Sequence, residues 1–184
     1  MMAIAIARRE PLSIGIQALA TLAAIAAAVA LPQFFHLLGA ASGAGAAPAV
    51  AFCPMHLPIL VVGFLAGPWA GALAGLGGPV AAHFLSGMPP AAQLPFMMVE
   101  LFGYGLAAGL LRNVKLPLVA NTLLAMVFGR ILRMLACTLA FYALGMDRMA
   151  PLGIWRSLPL SLPGIVLQLV LVPLLVYRVE KRGK

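Results

Sequence analysis

Apolar stretches long enough to cross a lipid bilayer recur along this chain, and few charges interrupt them. A helix needs roughly 20 apolar residues to span the hydrocarbon core of a bilayer. Hydrophobic residues make up 64% of the 184 positions and charged residues only 9%, so the chain has too little polar surface to cover a soluble globule. The sequence therefore predicts an all-α integral membrane protein with a single domain over residues 1–184.

Cutting the apolar stretches at charges and at Gly and Pro clusters predicts a compact bundle of six transmembrane helices. The second and third are joined by Gly67 and Pro68 without any charge, which indicates a tight turn buried among other helices. The first is interpreted as a mature helix, since it exceeds the roughly 7 to 15 apolar residues of a signal-peptide core. The predicted spans are 12–31, 48–67, 69–86, 96–111, 116–145 and 158–177.

Lys and Arg residues fall unevenly on the two sides of this predicted bundle. With the N-terminus in the cytoplasm, six spans return the C-terminus to the same side, and the excess of basic residues lies inside. This bias explains the formal net charge of +8 without a nucleic-acid partner, and the basic tail is interpreted as a topology anchor in contact with lipid. Arg8, Arg9, Arg112, Lys115, Arg178, Lys181, Arg182 and Lys184 lie inside; Arg148 and Arg156 lie outside.

Ionisable side chains within the spans are the main functional signal. Each costs on the order of 2.5 to 3.5 kcal/mol at the centre of a membrane helix, so its presence requires an explanation. Most lie at similar depth in the outer half of the predicted bundle, with Arg130 nearer the middle. They predict a ligand pocket that opens to the outside. The residues concerned are His56, His83, Glu100, Arg130 and Arg133 within the spans, together with His36 just beyond the outer end of the first span.

Glu100 and the two arginines leave two interpretations open. In the first, Glu100 forms a structural ion pair with Arg133 or Arg130. In the second, the arginine that remains binds the carboxylate or phosphate of a ligand, because one acid cannot neutralise two guanidinium groups. Tyr104 and Trp155 are candidates for stacking on a flat ring of that ligand, although aromatic belts at the membrane interface explain such residues equally well.

A transition-metal site is a further alternative, built from Met55, His56 and His83. No two of these lie at the short helical spacing that metal sites often use, so neither a metal nor a cofactor is predicted. Pro54 and Pro58 are expected to bend or loosen the helix around His56, so that the imidazole faces a cavity.

Enzyme signatures are missing from the sequence. It contains no His-Glu-x-x-His, Gly-x-Ser-x-Gly or Walker motif, and only four acidic residues, which excludes a carboxylate-rich catalytic centre. The chain is therefore predicted to be a binding protein that needs a partner to move its ligand, and not an enzyme.

Small residues recur every fourth position in two regions. Ala20, Ala24 and Ala28 form one strip in the first span, and Gly63, Gly67, Gly71 and Gly75 form the other across the turn at Pro68. Such strips let helices approach closely in membranes, either within the bundle or at a separate membrane protein. Both interpretations are open at this point.

Several runs of residues, in this order, resemble the substrate-binding S components of energy-coupling factor (ECF) transporters. The resemblance extends from the first span to the fifth, and the ordered set is far more specific than any single run. The runs are "LPQFFHLLG" at 31–39, "PMHLPILVVGFLAGPWAG" at 54–71, "SGMPP" at 86–90, "MMVELFGYGLAAGLL" at 97–111 and "GRI" at 129–131.

This resemblance implies a six-helix subunit in the plasma membrane of a prokaryote that captures a vitamin or related micronutrient at its outer face. It implies docking, through the alanine strip of the first helix, on a membrane coupling subunit that is attached to two ATPases. Loops over the site would carry His36, Met88 to Pro90, and Trp155. The nickel and cobalt branch is disfavoured, because the chain begins "MMAIA" without a Met-His pair. The arginines favour an anionic vitamin or precursor; a metal uptake component and a structural membrane subunit without ligand remain the alternatives.

Overall fold

The computed structural model describes residues 12–145 and 152–182, without the side chains of 144, 152–158 and 182. Within these ranges the chain is helical and contains no strand, which confirms the predicted all-α class. The helices are α1 (Ile14–Ala41), α2 (Ala47–Phe52), α3 (His56–Ala66), α4 (Pro68–Ser86), α5 (Leu94–Leu111), α6 (Leu118–Leu144) and α7 (Leu152–Arg182).

Five helical segments in the described part of the chain are long and apolar enough to cross a bilayer, in agreement with a multi-pass membrane protein. The α4 helix is not among them, because its four glycines and two prolines lower the hydropathy of a segment 19 residues long. Six crossings and cytoplasmic termini therefore stay predictions. The five segments are Ile14–Ala41, Ala47–Ala66, Leu94–Leu111, Leu118–Ala143 and Pro159–Lys181.

The α1 helix is longer than its sequence predicted, and this corrects the placement of His36. It continues through Pro32 to Ala41, so His36 lies within the helix and not in a loop beyond it. One proline removes one backbone hydrogen bond, and the apolar residues after it keep the helical conformation. At 28 residues the helix is about 42 Å long, which requires tilt or projection from a hydrocarbon core of about 30 Å.

The predicted second span is interrupted, as its prolines indicated. The α2 helix ends at Cys53, a non-glycine residue in the left-handed conformation with φ 44°, and α3 begins at His56. The side-chain amide of Gln168 in α7 donates hydrogen bonds to the carbonyls of Phe52 and Cys53, at 3.4 and 3.3 Å. Gly164, one turn before Gln168, lets α7 approach the same end of α2. The break is therefore held by α7.

Glycines bring α3, α4 and α5 into backbone contact at the opposite end of the bundle from the α2–α3 break. A side chain on Gly71 in α4 or on Gly105 in α5 would overlap the backbone of the other residue, and one on Gly63 would lie 2.6 Å from the Gly105 carbonyl oxygen. Gly109 lies equally close to the turn at Pro68. The glycine strip thus packs within the bundle, which was one of its two interpretations.

The alanine strip of α1 also faces the bundle in part. Ala24 and Ala28 are buried in the core, and Ala28 packs beside Gly78 of α4. Ala20 is half-buried, whereas the neighbouring Ala23 is exposed. In this conformation the predicted docking residues Ala24 and Ala28 are therefore buried by other parts of the same chain.

Candidate functional site

A cavity of about 540 Å³ lies at the end of the bundle that holds the α2–α3 break. Its wall is formed by the C-terminal ends of α1 and α4, by α2 and the break, by the start of α5 and by the middle of α6. The segment between α4 and α5 adds Met88, Pro89 and Pro90, and α7 adds Ser161. Every wall element reaches the cavity at the same end of the bundle, which the sequence predicts to be the outer end.

Glu100 is the centre of a polar cluster behind the cavity wall. Its side chain is fully buried, and Arg133 of α6 donates from Nη1 to Oε2 at 2.6 Å. Arg130, one turn earlier in α6, reaches Oε1 from its Nε at 3.0 Å. The Tyr104 hydroxyl donates to the same Oε1 at 2.8 Å. Glu100 therefore pairs with both arginines, where the sequence left open which of the two would be its partner.

The two arginines stand between Glu100 and the cavity. Both line the cavity wall, with 19% of the Arg130 side chain and 25% of the Arg133 side chain exposed, against 0% for Glu100. The described residues that line the cavity include no Asp or Glu. Two positive charges backed by one negative charge leave the wall electropositive, which suits a carboxylate or phosphate.

Close packing behind the cluster fixes the tyrosine that supports it. Gly129 in α6 lies against the Tyr104 ring, and a side chain at this position would overlap that ring. The ring is fully buried, and its hydroxyl accepts a hydrogen bond from the Arg130 Nε at 3.1 Å. The His56 ring meets it edge to face, with ring centroids 5.1 Å apart. The glycine of the "GRI" run thus makes room for the residue that orients Arg130 and Glu100.

Two of the three histidines predicted for the site line the cavity, and the third does not. His56, the first residue of α3, is buried and lines the cavity, and His36 of α1 also lines it. His83 of α4 is not among the lining residues; its Nδ1 donates to the carbonyl oxygen of Pro89 at 2.8 Å. Because a carbonyl only accepts, this contact places the proton on Nδ1. The Trp155 side chain lies outside the described part of the chain.

Uncharged polar residues of the site were missed by sequence reasoning that weighed only ionisable groups. Gln33, Gln93 and Ser161 line the cavity, and Gln168 holds the break that carries Cys53. Their common signal in the sequence is a lone amide or hydroxyl within or beside an apolar stretch. Both cysteines, Cys53 and Cys137, line the cavity as free thiols.

A metal centre finds no support in the side chains that the structure describes. Among them, no group of three or more His, Cys, Asp or Glu residues lies close enough to hold a metal ion. Of the two histidines in the metal alternative, only His56 faces the cavity.

Comparison with protein-family models matches residues 16–176 to the family described as ECF transporter, substrate-specific component. Neither the comparison with curated proteins nor the comparison with solved structures found a match. The matched range includes every residue that lines the cavity.

Proposed function

Because the chain belongs to the family of ECF transporter substrate-specific components, we propose that it captures a vitamin-type organic micronutrient in the cavity beside Arg130 and Arg133. The family is one of substrate-binding transport subunits and not of ATPases, so the chain supplies recognition and a partner supplies energy. The proposed location is the plasma membrane of a prokaryote, with the cavity facing outward and both termini in the cytoplasm.

The composition of the cavity wall is the observation that carries this proposal. Apolar side chains such as Val50, Met55 and Met97 form most of the wall, and the two guanidinium groups are its charged part. Ligand pockets typically combine such an apolar lining with a few polar groups that fix orientation. A small organic molecule with an apolar body and one acidic group matches both parts.

Delivery of the ligand requires the ECF coupling subunit and its two ATPases, and α1 is the proposed docking helix. Since Ala24 and Ala28 are buried, the contact is proposed to lie on the neighbouring side of α1. There Ala20 and Ala27 are half-buried and Ala23 and Ala30 are exposed. These residues recur every three or four positions and form a small-residue surface that a partner helix could approach closely.

Replacing Ala23 by Trp tests this docking surface without disturbing the core. Ala18→Trp is the matched control, because Ala18 is also exposed on α1 but lies about 140° further around the helix. The expected result is loss of co-purification with the coupling subunit for Ala23→Trp alone. Equal assembly of both variants would remove α1 as the docking helix.

The proposed function is tested by extracting small molecules and metals from the freshly purified chain. Mass spectrometry should find about one organic acid per chain that is not a membrane lipid. A stoichiometric metal that disappears on changing His56 and His83 would support the metal uptake alternative instead. Neither an organic acid nor a metal would favour a structural subunit.

The structural alternative has its own supporting observation. Both carboxylate oxygens of Glu100 are paired within the chain, so the cluster is largely satisfied without a ligand. If this were its whole role, joint replacement of Glu100, Arg130 and Arg133 by apolar residues would leave uptake by the complete transporter unchanged. The proposed function predicts that uptake is lost.

A further inference from the structure

The charge balance around the cavity is set by a residue that the cavity does not touch. Arg130 and Arg133 reach the wall, while the Glu100 side chain is fully buried behind them. The described residues on the wall include no Asp or Glu. Arg130 and Arg133 therefore give the described wall two positive charges, of which Glu100 offsets one.

The ion pairs of the cluster leave part of each arginine side chain exposed to the cavity. Glu100 engages the Nε of Arg130 and the Nη1 of Arg133. The Nε of Arg133 is buried and has no hydrogen-bond partner among the described residues. A ligand in the cavity therefore meets the two arginines through the parts of their side chains that remain exposed, 19% for Arg130 and 25% for Arg133.

We infer that Glu100 determines specificity at a distance, by leaving the cavity with one net positive charge that matches a ligand carrying one negative charge. This inference rests on the proposed function and narrows its ligand to monoanions, such as a monocarboxylate. A dianion would exceed the available charge, and a neutral ligand would leave a desolvated guanidinium uncompensated. Glu100 acts through the arginines and does not contact the ligand.

The two cysteines allow this charge to be measured without knowing the ligand. Cys53 and Cys137 are the only cysteines in the chain, and both line the cavity. With Cys137 replaced by Ser, the half-buried Cys53 is the sole reporter. Its thiolate attacks a methanethiosulfonate reagent, forms a mixed disulfide and releases methanesulfinate. Reagents carrying either a sulfonate or a trimethylammonium group then sense opposite signs of the local potential.

The experiment compares the rates of the anionic and the cationic reagent with Cys53 in the purified full chain at pH 8. Each rate is divided by that of the same reagent with a small free thiol. The native ratio is expected to exceed one. Glu100→Gln should raise it by about tenfold or more, and Arg133→Gln should lower it by a similar factor, since a unit charge acts strongly at short range in a protein interior. Glu180→Gln is the control, since it makes the same substitution in α7 outside the cavity wall. It should leave the ratio unchanged.

The double variant Glu100→Gln/Arg133→Gln gives the decisive comparison, because it restores one net positive charge without the ion pair. Its ratio should return to within about twofold of the native value, and it decides the question even if Glu100→Gln alone does not fold. A ratio that differs from native as strongly as that of Arg133→Gln would overturn the inference. So would a Cys53 that reacts with neither reagent, since solutes would then not enter the cavity. Retention of an organic acid is a separate measurement, so the proposed function stands or falls independently.

Discussion

The two ends of this bundle differ in how closely their helices pack. In one half, here called the glycine-packed half, Gly63, Gly71, Gly105 and Gly109 bring α3, α4 and α5 into backbone contact. In the other, the cavity half, the α2–α3 break, the Glu100 cluster and the segment 87–93 surround open space. The continuous stretch 54–71 crosses both halves, so one sequence segment supplies the break at one end and the close packing at the other.

Because of this difference, the glycine-packed half mainly stabilises the fold and the cavity half mainly recognises the ligand. In membranes, close backbone approach is a main source of helix association, because burial of apolar surface provides no driving force between helices. The glycine-packed half therefore has no room for added atoms, whereas the cavity half holds polar groups that are mostly paired within the chain. Substitutions in the first half should destabilise the fold, and substitutions in the second should change binding.

The largest expected effect is that of Gly71→Leu in the glycine-packed half. The added side chain would enter the backbone of α5 at Gly105. Overpacking typically costs about 1 to 3 kcal/mol, and more where backbone must move. Most of the variant protein should then fail to elute as a monodisperse species in detergent, as measured by size-exclusion chromatography.

Gly15→Leu is the matched control for this variant, because nothing lies within 4 Å of a side chain added at Gly15. It should elute as the native chain does. If both variants behaved alike, glycine packing would not be what stabilises this half.

A smaller loss of stability is expected for Gln168→Leu in the cavity half. The change removes the donor to the carbonyls of Phe52 and Cys53, and unsatisfied buried polar groups cost about 1 to 3 kcal/mol. The thermal midpoint should fall clearly, and retention of the ligand should fall with it because the break forms part of the cavity wall.

Gln17→Leu serves as the comparison for Gln168→Leu. Gln17 donates a single hydrogen bond, to the Leu12 carbonyl near the start of α1. Its replacement should lower the thermal midpoint by less than half as much. A Gln168→Leu variant as stable as the native chain would show that α7 does not hold the break.

Much of this architecture could be predicted from the sequence, because charge and Gly/Pro patterns mark helix ends and depth in the membrane. The pairing of Glu100 with an arginine and the interruption near Pro54 follow from such patterns. The side toward which a residue faces could not be predicted, since these helices are apolar all round and lack a polar face to indicate their rotation. His83 therefore lies at the predicted end of its helix but contacts Pro89, and Ala28 faces Gly78 of α4 instead of a partner.

The smallest expected effect concerns His83 and the segment 87–93. The hydrogen bond to the Pro89 carbonyl ties this segment beside the cavity, and one such bond is worth about 0.5 to 1.5 kcal/mol. His83→Ala should therefore increase the rate at which a neutral maleimide labels Cys53 by about 2- to 10-fold. The thermal midpoint should stay close to native.

Phe84→Ala is the appropriate reference, since Phe84 follows His83 in α4 and is exposed at 81%. It should leave labelling of Cys53 unchanged. Equal acceleration by both variants would attribute the effect to a general loosening of α4 and not to the bond with Pro89.

The assignment of the cavity as the binding site is tested most directly by the amount of organic acid that Arg133→Gln retains relative to the native chain, with Arg178→Gln as a control. Arg178 is exposed on α7, outside the cavity wall. The native chain and the control should retain about one molecule each. Arg133→Gln should retain less than about a tenth of that, because it loses a charge-assisted bond worth roughly 1.5 to 3 kcal/mol. Equal retention by all three folded proteins would contradict the assignment of the cavity as the binding site.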